Sequence, residues 1–168
     1  MKKFLLSALL LLSVSAFAQL KFTLNSPDKD ITVTIEVGEQ LTYAVTHGNT
    51  CVLAPSPIGM KLGDGTMLGT KPVVKNAQTQ SVNKILASPL YKKAEIPEVY
   101  EELALFFKDN YKVVFRAYNE GVAYRFVTDY RKPIIVESET ADFNFDADYQ
   151  AFIPYVLRRA GQEGDLIN

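Results

Sequence analysis

Tyr111-Lys112-Val113-Val114-Phe115-Arg116-Ala117-Tyr118, then Asn119-Glu120-Gly121, then Val122-Ala123-Tyr124-Arg125-Phe126-Val127 is the stretch that decides the fold. Two runs rich in β-branched and aromatic residues flank a polar turn, which is the pattern of an antiparallel hairpin. Gly121 is expected to supply the positive φ of a bulged three-residue loop. Just upstream, Asp109-Asn110 turns the chain, and Val99 to Phe107 precedes it. As a strand, that segment puts Leu103, Leu105 and Phe107 on one face and Tyr100, Glu102, Ala104 and Phe106 on the other. Pro97 could instead open a helix over Glu98 to Phe107. The strongly β-patterned neighbours favour the strand, so the region reads as a three-stranded meander.

The same period extends outward. Ile31 to Val37 alternates apolar and polar residues, and Leu41 to Val45 repeats the alternation after Gly38-Glu39-Gln40, which makes a second hairpin. Asn25 to Asp30 is turn chemistry, because Pro27 presets φ and the Asn, Ser and Asp side chains bond to nearby backbone. Pro55-Ser56-Pro57 is expected to end an apolar run, with a short strand at Met60-Lys61-Leu62 and a tight turn at Gly63-Asp64-Gly65 leading into Met67-Leu68. Val73-Val74 and Ser81 to Ala87 are further strand candidates, and Tyr91 to Pro97 reads as a loop or exposed edge. Ile134-Ile135-Val136 and Phe143-Asn144-Phe145 continue as short strands. Many short strands with regular turns predict an all-β fold, an antiparallel β-sandwich in a large twisted two-sheet arrangement.

Lys2 and Lys3, the apolar run Phe4 to Val14 and Ala16-Phe17-Ala18 have the layout of a cleavable signal peptide over residues 1–18. The apolar run falls short of the roughly 20 residues a membrane helix needs. No Cys follows the cleavage site, so a lipid anchor is not expected. Loss of Lys2 and Lys3 would take the formal charge from −1 to −3. A balance so near zero argues against nucleic acid as a partner, and no run after the signal is long enough to enter a membrane. Export permits disulfides, yet Cys51 is alone, and its apolar surroundings predict a small core residue.

The residues assemble no catalytic constellation. His47 is the one histidine and lies in the turn-like Thr46-His47-Gly48-Asn49, where a surface role is the plainer reading. One His and one Cys do not make a zinc site. Glu101 and Glu102 point to opposite faces of a strand and cannot converge as the two carboxylates of a glycosidase. Glu137, Glu139, Asp142, Asp146 and Asp148 could gather around calcium, but they lack the spacing of an EF-hand loop and read as a solvated acidic face. The rings of Tyr100, Phe106, Phe107, Tyr111, Phe115, Tyr118, Tyr124, Phe126 and Tyr130 would suit either sugar contact or a core. The area each ring buries and the absence of Trp favour the core.

Several stretches taken in order resemble glycoside hydrolase family 97. Ser26-Pro27-Asp28, Leu41-Thr42-Tyr43-Ala44-Val45 and Val52 through Met60 look like the opening of that family. Tyr100-Glu101-Glu102-Leu103 is similar to its Tyr-Asn-Glu-Leu, with Glu101 as a departure. Phe115 through Phe126 is similar to its Phe-Arg-x-Tyr-Asp-Asp-Gly-Val-Ala-Phe-Arg-Tyr, and Ile153-Pro154 falls where the family has a like element. The resemblance covers nearly all of the chain after the signal.

That resemblance implies an exported α-glucosidase or α-galactosidase acting on α-linked oligosaccharides, most plausibly in a periplasm. It further implies an N-terminal β-sandwich, a catalytic (β/α)8 barrel, a C-terminal β domain and calcium in the active site. The catalytic carboxylates belong to the barrel, and the calcium ligands to the barrel and to a glutamate late in the N-terminal region. The expectation is that residues 19–156 are the sandwich and 157–168 a truncated tail, so that no catalytic, cofactor-binding or metal residue is assigned to this chain. The alternatives are a free-standing carbohydrate-binding module and a structural sandwich whose edge pairs with another chain.

Overall fold

The decisive stretch forms two adjacent antiparallel strands of a computed structural model, which describes residues 19–89, 92–152, 155–157 and 165–167. The signal segment 1–18, Tyr91, Ile153-Pro154 and most of the tail lie outside the described residues. In chain order the strands are β1 (Leu20–Asn25), β2 (Ile31–Val37), β3 (Leu41–His47), β4 (Thr50–Leu62), β5 (Met67–Leu68) and β6 (Val74–Ala87). They continue with β7 (Glu95–Phe107), β8 (Tyr111–Tyr118), β9 (Gly121–Thr128), β10 (Val136–Ala141), β11 (Tyr155–Leu157) and β12 (Asp165–Ile167). One antiparallel sheet has the order β1-β2-β3-β4-β10, with β5 also on β4, and the other has the order β6-β7-β8-β9. β11 and β12 pair only with each other. No helix occurs among the described residues. The all-β sandwich expected from the pattern is the observed fold.

Its core follows from the period-two alternation. Val33, Ile35, Leu41 and Ile58 from the first sheet meet Leu103, Leu105, Phe107, Val113 and Phe115 from the second, and all are buried. Complete burial of a side chain such as Ile35 or Phe115 contributes about 1.5–3 kcal/mol each. Aromatic rings thread the layer: Tyr43 lies 5.4 Å from Tyr124, and Phe107 stacks 4.7 Å from Tyr111.

The structure departs from the sequence reading at several places, each with a local cause. Gly121 lies outside the left-handed region, and Tyr118 faces it across the two-residue turn Asn119-Glu120, so no bulge is needed. Leu20–Asn25 is an additional strand along β2. Pro55 and Pro57 do not end the run; β4 carries straight through them. Their missing N–H groups are tolerated because the ladder is irregular there, with register slips between Tyr43 and Thr46 on the β3 side. On the other side β10 stops at Ala141, and segment 142–144 replaces ladder pairing with bonds of its own. Thus Ile134-Ile135 and Phe143-Asn144-Phe145 are not strands, while the intervening Val136–Ala141 is. Val74 to Ala87 is one strand rather than two pieces, and its partner β7 begins at Glu95, within the stretch expected to be a loop or an exposed edge.

Candidate functional site

Two surfaces collect the chemistry-bearing residues. The first is the outer face of the second sheet. Glu102 and Arg116 are directly paired across β7 and β8, with Arg116 Nε donating to Glu102 Oε2 at 2.7 Å. Gln80 on β6 donates to Glu102 Oε1 at 2.7 Å, so both carboxylate oxygens are occupied. The Arg116 guanidinium lies 4.2 Å from the Tyr100 ring centre, and Tyr118 packs 5.1 Å away on the same ring. Lys112 repeats the motif over Phe106 at 5.1 Å. Long cationic side chains laid over rings explain why Tyr100, Ala104 and Val114 are buried although they point away from the sandwich core. Burial opposes the charge on Arg116, but its hydrogen bonds to Glu102 and Tyr118 and its attraction to Tyr100 and Glu102 together outweigh it and hold the guanidinium protonated above its ordinary range. Both Glu102 oxygens are engaged, and the neighbouring Glu98 lies 3.0 Å from Lys84 and 3.8 Å from Arg116.

The second surface is a cleft of about 470 Å³ between the sheets, at the end marked by Asn119-Glu120. Ile31, Tyr43, Val45, Leu53 and Val122 form its apolar walls, with Phe143 and Phe145 at its edge. Tyr43, His47 and Glu120 contribute the titratable groups. Burial pushes the Tyr43 phenol upward and the neighbouring Tyr124 phenol up to about 12, so both rings stay neutral in a largely dry interior.

The sequence-singled residues are dispersed. His47 ends β3 and is exposed, so it belongs to a strand terminus and not to the turn itself. Cys51 is half-buried on β4, less enclosed than a core residue. Glu101 accepts from the Ser81 hydroxyl while Glu102 accepts from Gln80 and Arg116, so the two carboxylates do lie on opposite faces. Glu137 pairs with Lys61 at 2.6 Å, and Asp146 accepts from the Tyr149 hydroxyl at 2.8 Å. Among the described residues no three His, Cys, Asp or Glu side chains gather as a metal site, and the acidic segment offers calcium no ligand set. Phe107, Tyr111 and Phe115 lie in the core and Tyr124, Phe126 and Tyr130 pack against it, as the area argument expected, whereas Tyr100, Phe106 and Tyr118 lie on the outer face of the second sheet. Phe143, Phe145 and Phe152, exposed by 63%, 58% and 90%, are the aromatic residues whose setting the sequence concealed. Alternation around Asn144 mimics a strand and hides both rings at the cleft edge.

With this geometry in view, the comparisons are specific. The family model described as glycosyl-hydrolase 97 N-terminal matches residues 24–166. A retaining alpha-galactosidase of Bacteroides thetaiotaomicron is 41% identical over 155 residues, which is 92% of this chain and 23% of the relative. The chain thus spans about a quarter of that relative's length. A family 97 enzyme from Pseudoalteromonas sp. strain K8, solved with panose, superposes with a TM-score of 0.66 at 21% identity over 74% of this chain and 20% of its own. A beta-arabinopyranosidase does so with a TM-score of 0.66 at 18% identity over 74% of this chain and 21% of its own. At those identities the two solved structures speak for the fold. The family match and the α-galactosidase go further: the chain belongs to glycoside hydrolase family 97 and carries that family's N-terminal domain.

Proposed function

We propose that this chain is the non-catalytic β-sandwich domain of an exported family 97 enzyme that cleaves α-linked oligosaccharides, and that its task is to support the catalytic part. The observation that carries this reading is the pairing of a family-domain match over residues 24–166 with a relative of which the chain spans only 23%. The engagement of both Glu102 oxygens and the separation of Glu101 from Glu102 agree with a supporting role. In this reading the nucleophile, the acid and the calcium ligands lie in the barrel and the late glutamate expected of the family. The signal-like layout of residues 1–18 supports export, to the periplasm or beyond the cell, where oligosaccharides would reach the enzyme.

Phe143 and Phe145 at the cleft edge support a second reading, a carbohydrate-binding module. It ranks behind the first because Phe145 and Tyr149 meet edge-on at 77°, not as a flat platform for sugar rings. Calorimetric titration of the purified chain with panose or an α-galactoside separates the two. A supporting domain gives no saturable heat at millimolar sugar, whereas saturable binding lost on Phe143→Ser would favour the module.

A further inference from the structure

We propose that Phe143 and Phe145 form the seat on which the catalytic part of a family 97 enzyme rests against this sandwich. The inference rests on the supporting-domain reading above and assigns it a surface. Four observations lead to it. Both rings are exposed, by 63% and 58%, yet the backbone that bears them is fixed. Ala54 N–H donates to Asn144 O at 2.8 Å, and Asn144 donates from its backbone to Ser56 Oγ and from Nδ2 to Pro55 O, each at 2.9 Å. Asp142 N–H adds a bond of 3.2 Å to Pro57 O. Ser56 is fully buried, so this anchor is part of the sandwich and holds two greasy rings in water at a set position. Apolar side chains presented that way mark an interaction surface rather than scattered surface residues.

The surface continues into the cleft, whose walls are mostly apolar, with Tyr43, His47, Asn119 and Glu120 as its polar side chains. Tyr43 is buried and Asn119 Oδ1 already accepts from Asp28 N–H, so the cleft presents a largely apolar face of the kind another protein surface covers. The exposed apolar residues are also concentrated toward one end of the sequence: Ile135 and Phe152, exposed by 75% and 90%, follow the same trend. This stretch approaches residue 166, where the match to a domain described as N-terminal ends, and most of the relative's length is unmatched. The occupant with the best claim is therefore the part of the enzyme that follows in the relatives.

The test is a chimera in which this chain replaces the matched segment of the Bacteroides thetaiotaomicron α-galactosidase, made with and without Phe143→Ser/Phe145→Ser. The unsubstituted chimera should hydrolyse an aryl α-galactoside and melt as one unit. The doubly substituted chimera should lose on the order of a hundredfold in kcat/KM, the scale of a displaced catalytic part, and melt in two steps. The isolated 168-residue chain with the same substitutions should keep its Tm, because the rings are exposed there. A substituted chimera that matches the unsubstituted one overturns the seat while leaving the supporting role intact. An unsubstituted chimera no more active than the relative with its segment deleted overturns the supporting role, and the seat with it. Sedimentation of the isolated chain as a dimer that the double substitution dissolves would assign the surface to a second copy and overturn the proposal.

Discussion

Arg116 and Glu102 stand directly opposite one another on neighbouring strands, Nε to Oε2 at 2.7 Å, with the guanidinium over the Tyr100 ring. The pair faces outward, yet it is largely covered, because the rings and methylenes around it exclude water. Charge-assisted hydrogen bonds in such a setting are stronger than exposed ion pairs.

Glu102→Gln removes the charge but keeps the size, and Arg116 is then left without its main partner. The expected cost is roughly 1.5–3 kcal/mol of stability. Arg116→Met alone should cost a similar amount, and the two together less than their sum, since neither charge is then stranded. Urea unfolding of the four proteins measures this coupling through the shift in midpoint.

Two glycines should respond in opposite ways to alanine. Gly69 has φ +86°, and a Cβ there would sit 2.5 Å from the Ile58 carbonyl oxygen. Its N–H also donates to the Tyr111 hydroxyl and its carbonyl accepts from Leu41 N–H, so it cannot move aside cheaply. Gly69→Ala should lose about 2–3 kcal/mol or fail to fold. A Cβ on Gly121 would meet nothing within 4 Å, and its φ is not left-handed. Gly121→Ala should leave stability unchanged or raise it by about 0.5–1 kcal/mol. Thermal melts of both variants decide the matter.

Alkaline pH should destabilise the domain only above the range in which ordinary tyrosines begin to titrate. Burial pushes Tyr111 and Tyr124 from 10.0 up to about 12. An unfolded chain gives up those protons near pH 10, whereas the folded one retains them. The stability they confer is therefore complete below pH 10 and declines as pH rises toward 12. Tyr124→Phe removes one of the two groups and should flatten the decline, read as the pH dependence of the urea midpoint. Tyr111→Phe is a poorer test because it strands the Gly69 N–H.

Much of this architecture was legible in local pattern. Ile31–Val37 is a strand with the expected bounds, and Val99 to Phe107 chose strand over helix as its neighbours indicated. The burial of Tyr111 and Phe115 followed from ring area alone. What escaped reading depended on partners distant in sequence. Pro55 and Pro57 stay inside β4 because the chain around Asn144 supplies bonds from outside the ladder, a fact invisible from the prolines themselves. The outer face of β7 looked half-solvated in its alternation, but Arg116 and Lys112, one strand away, close over it. The exposure of Phe143 and Phe145 escaped for the same reason: periodicity tells which residues share a face and is silent on whether anything covers that face.

The central claim is that this sandwich supports chemistry performed elsewhere in the enzyme. Its most direct test is turnover of p-nitrophenyl α-galactoside and α-glucoside by the purified, folded 168-residue chain with calcium present. The account predicts release of p-nitrophenol no faster than in buffer. Saturable hydrolysis that co-purifies with the folded chain and disappears on unfolding would contradict it.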